Sequence, residues 1–217
     1  YKPIILPILE DEGVPPELFY LAMIESGLNP KAYSYAHASG VWQFISSTGK
    51  IYGLKKNWWV DERRDFEKST RAAARLLKNL YDEFDDWYLA FAAYNCGSTR
   101  VNKTIKRQGT RDYWQLTRLP PQTRNYVPNI MAAIFIANDP AKYGFALSKE
   151  KKMEWNVVEV DKAVSLDVIS ECAKLDIGLL HSYNPELKQG TIPPLEDGGK
   201  YLFRLPINSS KDFDSLF

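Results

Sequence analysis

The sequence predicts a mainly α-helical domain followed by a small α+β module. Two observations carry this reading. Apolar residues recur at helical spacing in one short segment after another up to about residue 145. After Pro140 the pattern changes: Trp155–Val160 alternates like a strand, Tyr201–Pro206 closes as a second strand, and two short helical stretches lie between them. The boundary is accordingly placed so that residues 1–148 form the helical domain and residues 149–217 the βααβ module.

The elements follow in order. Pro15-Pro16-Glu17 opens a helix, with proline tolerated in the first turn and Glu17 favourable at the positive end of the dipole. Leu18, Leu21, Ala22, Ile24 and Glu25 continue it until Gly27 and Pro30. Gly40 to Tyr52 carries a second apolar pattern, closed by Gly53. Over Ser69–Phe84, Ala72, Ala73, Leu76, Leu77, Leu80 and Phe84 form a stripe with Arg75, Lys78 and Asp82 outside it. Trp87–Tyr94 is apolar nearly all round, as a buried central helix requires, and Asp85-Asp86 reads as its start. Pro121–Asn138 supplies another long helix, which Pro128 either kinks or breaks. Lys149–Lys152 is a charged, exposed stretch. Beyond it, Ser165 caps a helix running to Leu175, with Val168, Ile169 and Ala173 as core positions. Leu179–Leu187 forms a second short helix containing Tyr183-Asn-Pro185.

Composition removes several function classes. The 217 residues are 45% hydrophobic and 25% charged, with Lys plus Arg at 28 and Asp plus Glu at 27. A net charge of +1 excludes the strong basic field of a nucleic-acid binder. No stretch approaches the roughly 20 apolar residues of a membrane helix. The opening Tyr-Lys-Pro is not a signal peptide, and the chain begins inside what already reads as a domain. Cys96 and Cys172 are too few for a disulfide framework and show no metal-ligand spacing, so both are read as small apolar residues. No metal or cofactor is expected. The supply of aromatics (6 Trp, 13 Tyr and 10 Phe) is mostly core, yet ring faces with polar tips also suit a groove for sugars.

Glu25 is the candidate catalytic group. It ends an apolar helix and is followed by Ser26-Gly27, where a solvated glutamate would lie further round the polar face. A carboxyl half-buried in an apolar wall resists ionisation, so its pKa rises and it can deliver a proton near neutrality. The cluster Asp61, Glu62, Asp65 and Glu67 with Arg63 and Arg64 lacks the spaced pattern of a calcium loop and reads as salt bridges and helix capping.

Three ordered blocks place Glu25 in a wider pattern. The first is a Glu25-Ser26 pair, Ser34 nine residues after the glutamate, Gly40-Val-Trp42-Gln43-Phe44, and Thr48. The second is Ala92-Ala93-Tyr94-Asn95-Cys96-Gly97, and the third Thr123-Arg124-Asn125-Tyr126-Val127-Pro128. In these blocks the chain resembles the lytic transglycosylase family with a goose-lysozyme-like fold. Trp59-Val-Asp-Glu-Arg-Arg64 and Ser69-Thr-Arg-Ala-Ala-Ala74 are similar to a membrane-bound subgroup of that family. The departures are His37 where the family has glycine, Val41 for leucine, Cys96 for alanine and Gln122 for glutamate. His37 either narrows a subsite and alters its pH response or points to solvent.

The resemblance implies a lysozyme-like fold and cleavage of the β-1,4 bond between N-acetylmuramic acid and N-acetylglucosamine without water, leaving a 1,6-anhydromuramic end. Ordinary glycosidases need two carboxylates, about 5 Å apart for retention or roughly 6.5–9.5 Å for inversion. The matched blocks contain only Glu25, which suffices if the muramic C6 hydroxyl is the internal nucleophile. Ser34 would then orient the muramic acid, and Gln43 and Asn95 would pair with sugar amides and hydroxyls. Asn95 has an alternative role, capping the following helix or bonding the turn before Gly97. Tyr94 and Tyr126 would stack on sugar faces or polarise the acetamido group, Tyr126 being the nearer partner of the acid. Trp42 is either core or a sugar platform. The C-terminal module resembles a LysM module that lacks the usual Gly-Asp turn; it either binds glycan or buttresses the catalytic domain. The expected partner is the peptidoglycan glycan strand, with the protein a monomer. The expected location is extracytoplasmic, in the periplasm or outer membrane of a bacterium.

Overall fold

The structure is a computed structural model that describes residues 1–146, 152–195, 198–207 and 209. In chain order its elements are α1 (Lys2–Asp11), α2 (Phe19–Ser26), α3 (Ser46–Ile51), α4 (Phe66–Phe84), α5 (Trp87–Cys96), α6 (Ser98–Gln108), α7 (Pro121–Asn138), β1 (Trp155–Val160), β2 (Val164–Ser165), α8 (Leu166–Ala173), α9 (Ile177–Tyr183), β3 (Thr191–Ile192) and β4 (Tyr201–Pro206). The fold is mainly helical, with small antiparallel sheets near its end. The division at 148/149 and most of the stretch 149–152 lie outside the described residues. Contacts group the chain into two compact units. One holds residues 2–28 and 70–149; the other holds residue 1, residues 29–69 and residues 150–217.

In the helical unit, α5 packs against α6 and α7, and α2 packs against α7 and α1. Leu89, Ala90, Phe91, Ala92 and Ala93 are all buried, so α5 is the apolar centre the sequence predicts. Asp86 caps it, its Oδ1 accepting from Tyr88 N at 2.7 Å and Leu89 N at 3.1 Å. Helix α2 ends at Gly27, whose φ of +60° lets its N–H turn back to the Met23 carbonyl. Helix α7 continues without a break through Pro128. Proline leaves the carbonyl four residues earlier, that of Arg124, without a donor. The buried Tyr113 hydroxyl supplies one, lying 3.0 Å from Arg124 O and 2.9 Å from Thr123 O.

Several boundaries differ from the sequence reading. The predicted helix over Gly40–Tyr52 shrinks to α3. Gly40 and Gln43 adopt φ of +86° and +49°, and Ser39 bridges both Tyr33 and Phe44, so residues 33–44 form a looped hairpin. Helix α4 starts earlier than Ser69, because Asp65 Oδ1 accepts from Glu67 N and Lys68 N and caps it. The helix placed at Leu179–Leu187 is instead α9, capped by Asp176 on Leu179 N and ended before Pro185, which disfavours a helical Asn184. Helices α1 and α6 have no counterpart in the sequence reading. Asn95 does not cap α6; that position is Gly97, with no side-chain cap.

The second unit joins the hairpin region to the C-terminal module. β1 pairs with β4 in antiparallel register from Trp155↔Pro206 to Val160↔Tyr201, and β2 pairs with β3. The core of this module is Val160, Leu166, Ile169, Leu180, Leu187, Ile192, Phe203 and Leu205, and Val60 belongs to the same cluster. Val60 also bridges Leu187. Arg204 on β4 is buried too. Its guanidinium donates to Asp65 (2.8 Å), Glu67 (2.7 Å) and Glu186 (3.3 Å) and stacks 4.7 Å from the Phe66 ring centroid. The acidic cluster is therefore structural, as the sequence predicts: Arg204 is the counter-charge of Asp65 and Glu67, while Asp61 pairs with Arg63 and Glu62 with Lys68.

Candidate active site

Glu25 occupies the last turn of α2, and packing of α2 on α7 brings its half-buried carboxyl to Tyr126. The Tyr126 hydroxyl donates to Glu25 Oε1. Burial pushes the Glu25 pKa up to about 7, and the bond from Tyr126 opposes that rise. Among the described residues no other carboxylate contributes to the shift. Burial, and then the nearby Glu25 charge, hold the Tyr94 and Tyr126 hydroxyls well above the usual tyrosine range. Both tyrosines therefore stay protonated wherever Glu25 titrates. The site pairs one acid that changes charge near neutrality with two hydroxyls that do not.

Asn95, at the end of α5, accepts a hydrogen bond from the buried Thr123 hydroxyl at 2.8 Å. That bond ties α5 to α7 and leaves the Asn95 Nδ2 without a partner among the described residues. Thr123 therefore positions Asn95, a role the sequence reading missed although it flagged the surrounding block. Glu25, Tyr94, Asn95 and Tyr126 all belong to the helical unit.

Ser34 and Gln43 belong to the hairpin of the other unit, and each is engaged there. Ser34 Oγ accepts from Ala38 N at 3.1 Å, closing a turn in which His37 has φ of +60°. Gln43 Nε2 donates to Gly40 O at 2.9 Å and Ala32 O at 3.3 Å, leaving Oε1 to face other groups. Trp42 is completely buried and is core. The exposed His37 ring lies 2.7 Å from the Tyr33 hydroxyl. The hairpin is stapled from beneath by the buried Arg63, which donates to His37 O and Phe44 O at 2.8 Å each and is held in turn by Asp61. Gly40 passes so close that a Cβ there would stand 1.7 Å from Arg63 O. Arg63 reads in sequence as one of a salt-bridge cluster; that it braces the hairpin is visible only in three dimensions. Among the described residues no group of His, Cys, Asp and Glu could hold a metal.

The chain belongs to the transglycosylase SLT domain family, whose model matches residues 4–117, and the model of the lytic transglycosylase MltD LysM-like domain matches residues 154–216. It is 36% identical over 190 residues to membrane-bound lytic murein transglycosylase D of Escherichia coli K12, covering 85% of this chain and 42% of that protein. It is also 41% identical over 102 residues to a putative tributyltin chloride resistance protein of Alteromonas sp. M-1, covering 46% of this chain and 49% of the relative. The chain thus spans less than half the length of these relatives. Two solved structures share the fold. One is an inactive mutant of the lytic transglycosylase Slt from Pseudomonas aeruginosa, with a TM-score of 0.54 and 22% identity over 65% of this chain and 24% of that one. The other is the 70-kDa soluble lytic transglycosylase in complex with bulgecin A, with a TM-score of 0.55 and 24% identity over 69% and 26%.

Proposed function

We propose that this chain carries the catalytic part of a peptidoglycan lytic transglycosylase, which cleaves the MurNAc-β-1,4-GlcNAc bond without water. The observation that carries the reading is Glu25: a carboxyl protonated up to about pH 7, with no second carboxylate among the described residues acting on it. Because Tyr126 donates to Oε1, the acidic proton sits on Oε2. Glu25 gives that proton to the glycosidic oxygen as the C1–O bond breaks. The carboxylate then takes the proton of the muramic C6 hydroxyl as that oxygen bonds to C1. The first proton leaves on the new GlcNAc 4-hydroxyl, the C6 proton restores the Glu25 acid, and no atom of water enters. A pKa near 7 suits both halves, since the group must be acid first and base second. Tyr126 remains a donor throughout, and its bond strengthens when the carboxylate forms.

Within this reading Ser34, Gln43, Tyr94 and Asn95 contact the glycan. The free Oε1 of Gln43 and Nδ2 of Asn95 are the atoms available for sugar amides and hydroxyls. The division into residues 1–148 and 149–217 is supported by family models that fall on either side of it. The protein is proposed to act as a monomer in an extracytoplasmic compartment, periplasm or outer membrane. Similarity to a membrane-bound relative supports that placement. Among the described residues no helix is long and apolar enough to cross a membrane.

Mass spectrometry of fragments released from purified peptidoglycan tests this, with Glu25→Gln run in parallel. Anhydromuramic ends from the parent and none from the variant are expected. Reducing ends, heavier by one water, would make the enzyme a muramidase hydrolase. No release from either would make it a peptidoglycan-binding protein.

A further inference from the structure

Trp58 is 69% exposed, yet its backbone is tightly held. Asn57 Oδ1 accepts from Trp59 N at 2.9 Å and Val60 N at 2.7 Å, and Asn57 N donates to Val60 O at 2.9 Å. These bonds close a turn with Trp58 at its tip. The C-terminal module grips the same turn: Lys188 N donates to Trp59 O at 2.8 Å, Gln189 Nε2 to Trp58 O at 3.1 Å, and Lys188 Nζ to Asn57 O at 2.7 Å. The Lys188 ammonium stands 5.9 Å from the Trp58 ring centroid and has no carboxylate partner among the described residues. Lys55 and Lys56, just before this turn in the chain, are exposed. The neighbouring acid, Glu62, is buried, accepting from Lys55 N and paired with Lys68 at 2.6 Å.

Leaving an indole in water forgoes the stabilisation its burial would give. Here it is left out on a turn that cannot fold it away, beside an uncompensated cation and a side-chain amide. A rigid ring of this kind gains contact area at little entropic cost. We propose that Trp58, Lys188 and Gln189 form a second glycan-binding platform, apart from the residues around Glu25, for an N-acetylated strand that bears carboxylates. The indole face stacks on the C–H face of a pyranose ring. The Lys188 ammonium meets a carboxylate of the strand, a muramic lactyl group or a peptide stem. Gln189 Oε1, without a partner among the described residues, accepts from an acetamido N–H. Trp58 comes from the region matched by the SLT model and Lys188 and Gln189 from the region matched by the LysM-like model, so neither sequence block alone contains the platform. The proposal rests on the peptidoglycan reading above.

Co-sedimentation with insoluble peptidoglycan tests it, using the full chain with Glu25→Gln to prevent turnover. Trp58→Ala is expected to weaken binding about tenfold, with Trp58→Phe recovering most of the loss and an unchanged thermal midpoint in both. Lys188→Met should weaken binding to peptidoglycan several-fold and leave binding to chitin, which lacks carboxylates, unaltered. Equal binding by the Trp58→Ala variant and its parent would overturn the platform while leaving the peptidoglycan reading intact. Failure of the parent itself to sediment would overturn both.

Discussion

Tyr126 donates its hydroxyl hydrogen to the carboxyl of Glu25, and the two residues lie 101 positions apart in the chain. The bond favours the ionised carboxylate and therefore holds the Glu25 pKa below the level burial alone would set. Tyr126→Phe removes that restraint. The expected result is a basic limb of the pH–rate profile shifted upward from about 7, together with a fall in kcat of about tenfold or more. Profiles of kcat and kcat/KM for the parent and variant check both the sign and the size.

Glu25 also sets a stability slope. Its folded pKa of about 7 lies above the ordinary value of 4.5. The folded state therefore binds the proton more tightly than the unfolded one. That contribution is fully present below pH 4.5 and is lost as pH rises through 7. Glu25→Gln has no proton to lose and should be more stable than the parent at pH 8, by on the order of 2–3 kcal/mol, with little difference at pH 4. Urea unfolding at the two pH values measures this.

Tyr113 and Pro128 form a testable pair in α7. Tyr113→Phe strands the Arg124 carbonyl and should cost about 1–2 kcal/mol. Adding Pro128→Ala supplies a backbone N–H to the same carbonyl, so the double variant should recover part of that loss. A double-mutant cycle in chemical denaturation would show coupling of about 1 kcal/mol; strict additivity would remove Tyr113 as the helix's donor.

Arg204 should be the most sensitive residue outside the site. Arg204→Met leaves Asp65 and Glu186 buried without their main counter-charge, and the expected loss is about 3–5 kcal/mol. One Glu186 oxygen already has no partner, and burial beside Asp65 pushes the pKa of Glu186 up to about 7. The variant should therefore regain some stability at acidic pH, where Glu186 is protonated. Thermal midpoints at pH 5 and pH 8 decide the matter.

What was legible in the sequence was local or carried by contiguous blocks. Glu25, Tyr94, Asn95 and Tyr126 lie in short motifs, and α4, α5, β1 and β4 have strong apolar periodicity. Asp86 and Ser165 announce their helices by residue type and position. The misses have several physical causes. Helix α6 buries only Val101 and Thr104, too thin a stripe to stand out. The hairpin over residues 33–44 depends on positive φ at Gln43 and His37, which neither residue type announces. Whether Ser34 and Gln43 bond their own loop or an incoming sugar depends on side-chain direction, and no residue pattern contains it. The braces at Arg63 and Arg204 join positions too far apart for periodicity to reveal.

Arg204 has a consequence for the order in which the chain takes shape. The carboxylates it neutralises were made 137 and 139 residues earlier. As the chain emerges from its N-terminus, the helical unit has all its parts by residue 149. The hairpin that carries Ser34 and Gln43 belongs to a unit whose last strand is still unmade. Until β4 arrives, Asp65 and Glu67 lack their shared cation and Val60 lacks its cluster. The acid of the site is thus in place early, while the unit that contains the hairpin closes late. Synthesis itself therefore separates the completion of the two units in time.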